Sequence, residues 1–205
     1  MGGYGCWHAI GGLGSDLGLR DYRSRVPTRP GPYDPRVATI FRGRYTGRIE
    51  GSFVVFLIGM RINQLWRIAD WLPVARAMRP MLEELYSHPE KGLLGGELFL
   101  SPGNRSTVLL QYWRSFDHLD RFARDRNDPH LPAWREFNRR VARTGSVGIW
   151  HETYLVEAGR YEAIYGNMPR FGLARVADHL PASGRLETAR RRLGGEDKPG
   201  VETTY

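Results

Sequence analysis

The sequence predicts an α+β fold built as β-α-β-β-α-β. Three observations predict it. Runs rich in β-branched and aromatic residues occupy 53–62, 93–100, 106–113 and 147–156. Apolar residues at helical spacing fill 71–87 and resume from 116 to 141. Turn residues separate these stretches: Pro89 and Gly92, then Ser101-Pro102-Gly103-Asn104, then Gly145. This order is the ferredoxin-like plan.

FVVFLIGMRI, residues 53–62, lacks proline and reads as a strand apolar on both faces. Phe53, Val55 and Leu57 point one way. Val54, Phe56, Ile58 and Met60 point the other. In the helix over 71–87, Val74, Ala77, Met78, Met81, Leu82 and Leu85 share a face, and Pro73 suits the first turn. Pro80 lies in its interior and predicts a kink. LLGGELFL and STVLLQYW form the central strand pair. Ser115 caps a helix carrying Phe116, Leu119, Phe122 and Ala123 on one face. Asn127-Asp128-Pro129 breaks it. A second helical piece starts near Pro132, with Ala133, Trp134, Phe137 and Val141 inward, and Gly145 stops it. VGIWHETYLV is the fourth strand. An extended piece near 161–165 and an arginine-rich helix near 186–193 follow.

A chain of 205 residues fits one domain, and 41% hydrophobic with 25% charged residues excludes a disordered or fibrous chain. The organisation expected is a flexible Gly/Pro-rich leader over 1–36, a ferredoxin-like domain over 37–170 and a C-terminal tail over 171–205. Cys6 is the sole cysteine. It permits no internal disulfide and no cysteine-built metal site, which suits a reducing cytoplasm. The net charge of +8 suggests a polyanion partner, but residues 1–49 carry eight Arg against three acids and residues 50–170 only +2. The body of the fold is close to neutral, so no nucleic-acid partner is expected. The longest apolar run, Phe53 to Met60, is far too short to span a bilayer, so no membrane segment is expected.

Both faces of the predicted sheet are apolar, and two helices cover only one. The second face needs a cover. A second copy of the chain is the economical one and makes a homodimer. The alternative is a monomer whose leader and tail fold across that face.

Candidate site residues lie on the strands and at the helix break. His151 shares a strand face with Val147, Ile149, Thr153 and Leu155. It is either a core histidine or a general base in an apolar cavity. Glu152 points the opposite way, beside Trp150 and Tyr154, and either pairs with an arginine or contacts substrate. His130, between Pro129 and Pro132, is a helix-entry residue or an acid/base group at a cavity mouth. Arg61 and Asn63 end the first strand; Gln111, Trp113 and Arg114 lie on or just beyond the third. Polar groups at strand ends can orient a carbonyl or carboxylate. No HExxH, GxSxG, phosphate-loop or dinucleotide-binding glycine pattern occurs.

FVVFLIGMRIN, WLPVARAMRPMLEEL, LLQYWRSFDHLDRFARD, HLPAWREFNRRV, VGIWHETYLV and YEAIYGNMPRFGLARV together resemble a monooxygenase-like family of the dimeric α/β-barrel superfamily, the antibiotic biosynthesis monooxygenase type. The resemblance covers residues 37–193 and implies a sheet that pairs into a dimeric barrel. It implies an oxygenase acting on a small apolar or aromatic metabolite in secondary metabolism, with no cofactor required. His151 or His130 is then the base, and Arg114, Asn63 or Tyr154 holds the developing oxyanion. Arg61, Trp113 and Glu152 complete the substrate contacts. The same superfamily contains haem-dependent aldoxime dehydratases, so a histidine-ligated haem is the alternative. A non-catalytic ligand-binding protein is the third reading.

Overall fold

A computed structural model of the chain describes residues 39–124 and 143–196. The strand read at 53–62 is β2, Phe53–Ile62, preceded by β1, Phe41–Arg48. Helix α1 (Ile68–Ser87) follows, then β3 (Leu93–Ser101), β4 (Ser106–Trp113) and α2 (Phe116–Arg124). The chain continues through β5 (Val147–Val156), β6 (Tyr165–Met168), β7 (Asp178–Pro181) and the short helix α3 (Ala189–Arg192). Strands β3, β4, β2 and β5 form one sheet in that order, every neighbour antiparallel. This is the ferredoxin-like order reached from the sequence. β2 and β5 pair along their whole length, from Phe53 opposite Val156 to Ile62 opposite Val147.

The even-numbered face of β2 meets the helices. Val54 and Phe56 pack with Leu85 of α1, Leu93, Trp113 and Leu119 of α2. Met60 packs with Val74 and Val147. α1 begins three residues earlier than its apolar spacing predicts, so Pro73 sits in its second turn. Asp70 explains the early start. Its carboxylate lies in the helix's first turn, where the dipole favours negative charge. It also accepts hydrogen bonds from Arg67 Nε at 2.8 Å and from buried Ser146 Oγ at 2.7 Å. The helix start is thereby tied to the entry of β5, a contact between positions 76 residues apart. Ser115 caps α2 as expected, its hydroxyl accepting from the His118 backbone N–H at 3.4 Å. The second helical piece predicted from Pro132 lies outside the described residues.

The odd-numbered face corrects two expectations. First, β1 was not foreseen. It is the centre of a second antiparallel sheet, β6-β1-β7. Second, residues 171–177, at the start of the expected tail, pack onto the sheet. Leu173 and Ala177 pack with Ile49, Phe53 and Tyr112 in a buried cluster on the open side of the large sheet. Thus the chain itself covers the Phe53 end of the face that was assigned to a second copy. Gly47 makes this possible: a Cβ there would lie 3.2 Å from the Ala174 backbone nitrogen. The buried pair of Arg175 with Glu97, 3.0 Å apart, fastens the segment to β3. Toward the other end of the sheet, Leu57, Val108 and Trp150 remain half-buried and Phe99 is exposed.

β7 carries a histidine with a measurable consequence. The His179 ring stacks on Tyr45 at 4.5 Å and meets Phe41 edge-on at 4.7 Å. Its Nε2 is buried and has no hydrogen-bond partner among the described residues. Burial, aided by Arg170, holds its pKa below the ordinary 6.5. The folded state therefore binds this proton less readily than the unfolded chain. The stabilisation is complete above pH 6.5 and is lost as pH falls below that value toward the folded-state pKa. We expect the wild-type melting temperature to fall from pH 7 to pH 5 more steeply than that of His179→Phe. Parallel profiles, measured by calorimetry, would show that His179 is not the group responsible. His118 is also held low by burial, with Arg114 and Arg121 assisting. It is present in both proteins, so the difference between them isolates His179.

Candidate functional site

The large sheet distributes the predicted residues over two faces and two ends. His151 stands opposite Ile58 on the helix side, half-buried, its ring 5.8 Å from Phe56. Ile149 precedes it on the same face, opposite Met60. This is the apolar strand face read from the sequence. Glu152 and Tyr154 point to the open side, at the free edge of the sheet. There Glu152 accepts a hydrogen bond from Tyr154 Oη at 2.5 Å rather than pairing with an arginine. That bond raises the phenol's pKa above its ordinary value, so Tyr154 keeps its proton and directs it at Glu152. The hydroxyl is not aimed at a substrate oxyanion.

Asn63 is also engaged. Its amide donates to Gly145 O at 3.0 Å, its backbone N–H donates to Ser146 O, and its Oδ1 accepts from Arg61 Nη1. It joins the end of β2 to the start of β5. Trp113 corrects another expectation. It is fully buried, with its indole N–H donating to buried Gln111 Oε1 at 2.9 Å. A side chain with no exposed surface contacts no substrate. It belongs to the core because Val54, Leu93 and Leu119 surround it. Arg114, one residue on, is different. Its Nε is buried without a hydrogen-bond partner, and it makes no ion pair among the described residues. Yet it lies past the Val54 end of the sheet, whereas His151 is opposite Ile58. Four strand residues separate these levels, roughly 13 Å along the strand. Arg61 and Asn63 lie at the far end. The predicted residues do not form one cluster, and His130 lies outside the described residues.

Beside Arg114 the structure shows a pair that the sequence reading passed over. Ser115 Oγ lies 2.7 Å from His118 Nδ1. The Ser-x-x-His spacing across a helix start was the available signal. The same serine caps α2, which accounts for the contact.

A haem needs a histidine facing a cavity of porphyrin size. A cavity of about 720 Å³ lies among β1, the 158–163 connection and the 185–194 segment. None of the described histidines lines it. His88 pairs with Glu84 and Glu90, His118 with Ser115, His151 packs on Phe56, and His179 stacks on Tyr45. Among the described residues there is also no group of three His, Cys, Asp or Glu side chains that could hold a metal ion. No helix among them is long and apolar enough to cross a membrane.

The family model for monooxygenase af470-like proteins matches residues 53–173, from the first residue of β2 into the turn that covers the open face. The chain belongs to the monooxygenase af470-like family. Monooxygenase af470 of Aspergillus fumigatus is 24% identical over 184 residues, covering 80% of this chain and 62% of the fungal protein. The chain thus spans less than two thirds of that relative's length. A solved aldoxime dehydratase in complex with butyraldoxime superposes with a TM-score of 0.53 at 19% identity, over 73% of this chain and 43% of that one. It shares the fold. Rv0793 of Mycobacterium tuberculosis is more distant, with a TM-score of 0.33 and 22% identity, over 51% of this chain and 98% of that one. The matched region of this af470-like protein takes in β2, α1, β3, β4, α2, β5 and β6, together with the Glu97–Arg175 lock's strand partner but not Arg175 itself.

Proposed function

We propose that this af470-like protein is a small-molecule monooxygenase acting on an apolar or aromatic substrate without a resident cofactor. One observation carries the reading beyond family membership: His151 is a half-buried imidazole set in the apolar helix-side face of the sheet, beside Phe56 and opposite Ile58. An imidazole there accepts a proton from an electron-rich substrate carbon or phenol. The resulting anion gives its electrons to dioxygen. In the full reaction a CH₂ group becomes C=O. One oxygen atom is retained and the other leaves as water, so no external reductant is consumed. The surrounding apolar side chains exclude water from the intermediate. Arg114, whose buried Nε has no hydrogen-bond partner among the described residues, is a cation for a developing oxyanion. It lies at the other end of the sheet from Arg61 and acts on a substrate long enough to reach it. The test is oxygen uptake with a panel of polyphenols and anthrone-type ketones, with product mass measured in ¹⁸O₂. Incorporation of one labelled atom supports the reading, and absence of uptake across the panel counts against it.

The assembly proposed is a homodimer, supported by the uncovered end of the open face at Leu57, Val108, Phe99 and Trp150. An interface of well over about 1,000 Å² is expected. Light scattering at micromolar concentration should give twice the mass of the 23.4 kDa chain. A stable monomer would mean that this end of the sheet is left to solvent.

A further inference from the structure

The 720 Å³ cavity has an unusual lining. It collects five arginines and two glutamates from four separate stretches of chain. Arg192 and Glu162 neutralise one another, and the Arg192 guanidinium also donates to the carbonyls of Leu186 and Glu187. With a side chain only 5% exposed, Arg192 is part of the wall. Of the other four, Arg191 stands 3.8 Å from Glu187, and Glu50 is the remaining acid of the lining. Arg191 donates to Gly184 O, and Arg160 stands 3.9 Å from Glu157, with both side chains largely in solvent. Arg48 and Arg185 make no ion pair or side-chain hydrogen bond among the described residues.

Like charges held around one concave surface repel, and the low-dielectric walls strengthen their common field. Nothing in the core requires them there, since the surrounding fold is fastened by the Arg192–Glu162 pair. Guanidinium groups grip phosphate oxygens in pairs, with planar geometry. Apolar surface in the cavity includes Tyr161, whose hydroxyl is fixed on the Ile49 backbone, and Leu193, half exposed. The volume suits an organic ligand and far exceeds a single inorganic ion. We infer that this cleft binds a small organic diphosphate, its anionic end on Arg48 and Arg185 and its apolar or aromatic portion against Tyr161 and Leu193. His151 and Arg114 do not line it, so the inference stands independently of the oxygenase reading.

Calorimetric titration of the full chain tests this, with adenosine diphosphate, inorganic pyrophosphate, citrate and adenosine as probes at constant ionic strength. Adenosine diphosphate should bind tightest, pyrophosphate more weakly for want of the apolar contact, and adenosine least. Arg48→Ala and Arg185→Ala should each weaken adenosine diphosphate by about tenfold or more. Both residues are exposed, so the melting temperature should be unchanged. Arg76→Ala removes the same charge from an exposed position on α1 and should leave affinity intact. The inference is overturned if no probe binds, if citrate binds as well as the diphosphates, or if Arg76→Ala weakens binding as much as the cleft variants.

Discussion

Glu97→Ala and Arg175→Ala should each destabilise the protein by about 3–5 kcal/mol, because each removes the opposite charge from a pair held largely out of water. Glu97 lies on the open side of β3 and Arg175 in the turn laid across it, and their side chains are 9% and 14% exposed. The carboxylate also accepts from the Gly172 N–H at 3.4 Å, so its loss frees two contacts of the covering segment. A domain of this size loses roughly 2–4 °C of melting temperature per kcal/mol, so a fall of about 6–20 °C is expected. Replacing both residues together, as Glu97→Met with Arg175→Met, removes both charges and should restore most of the loss. Hydrogen exchange gives a local readout. In either single variant the amides of 172–177 should lose protection before those of β2 and β4. Single variants that melt with the wild type would show that apolar packing by Leu173 and Ala177 holds the segment unaided.

The parts of this fold that were legible are those whose own residues carry the pattern. β2, β4 and β5 begin and end where their β-branched and aromatic runs do. Strand parity placed His151 on the same face as Ile149, and the structure keeps it there. β1 was hidden because FRGRYTGR holds three arginines and two glycines in eight residues. Its strand character comes from pairing with β6 and β7, whose own sequences, YGNM and DHLP, are too short to announce themselves. The same long-range origin hid the cover of the open face. Leu173 and Ala177 look like ordinary tail residues until Gly47 lets the turn approach β1. Trp113, expected among the substrate contacts, is instead enclosed by neighbours distant in sequence. The arginine cleft could not be read at all, since its lining is assembled from segments more than a hundred residues apart.

His151→Leu should lower turnover by a hundredfold or more while leaving the protein folded, and it decides whether this histidine is chemistry or core. A general base contributes about 10²–10⁴-fold to rate, and leucine supplies no proton acceptor. Leucine does supply similar apolar bulk at a position already flanked by Phe56, Ile58 and Ile149, so the variant should stay folded. Alanine separates the two roles less cleanly, because a cavity beside Phe56 costs stability for its own reasons. The two readings of His151 therefore predict opposite pairs of results. A base gives a stable, inactive leucine variant, with substrate affinity nearly unchanged and the loss concentrated in kcat. A core histidine gives a leucine variant that is as active as the wild type. His151→Gln adds a third comparison: it restores hydrogen bonding but not basicity, so it should be as inactive as leucine if proton transfer is the role. Oxygen uptake, melting temperature and particle mass measured on the same preparations settle the matter. Full activity in His151→Leu would remove the imidazole from the mechanism and leave Arg114 as the residue to test next.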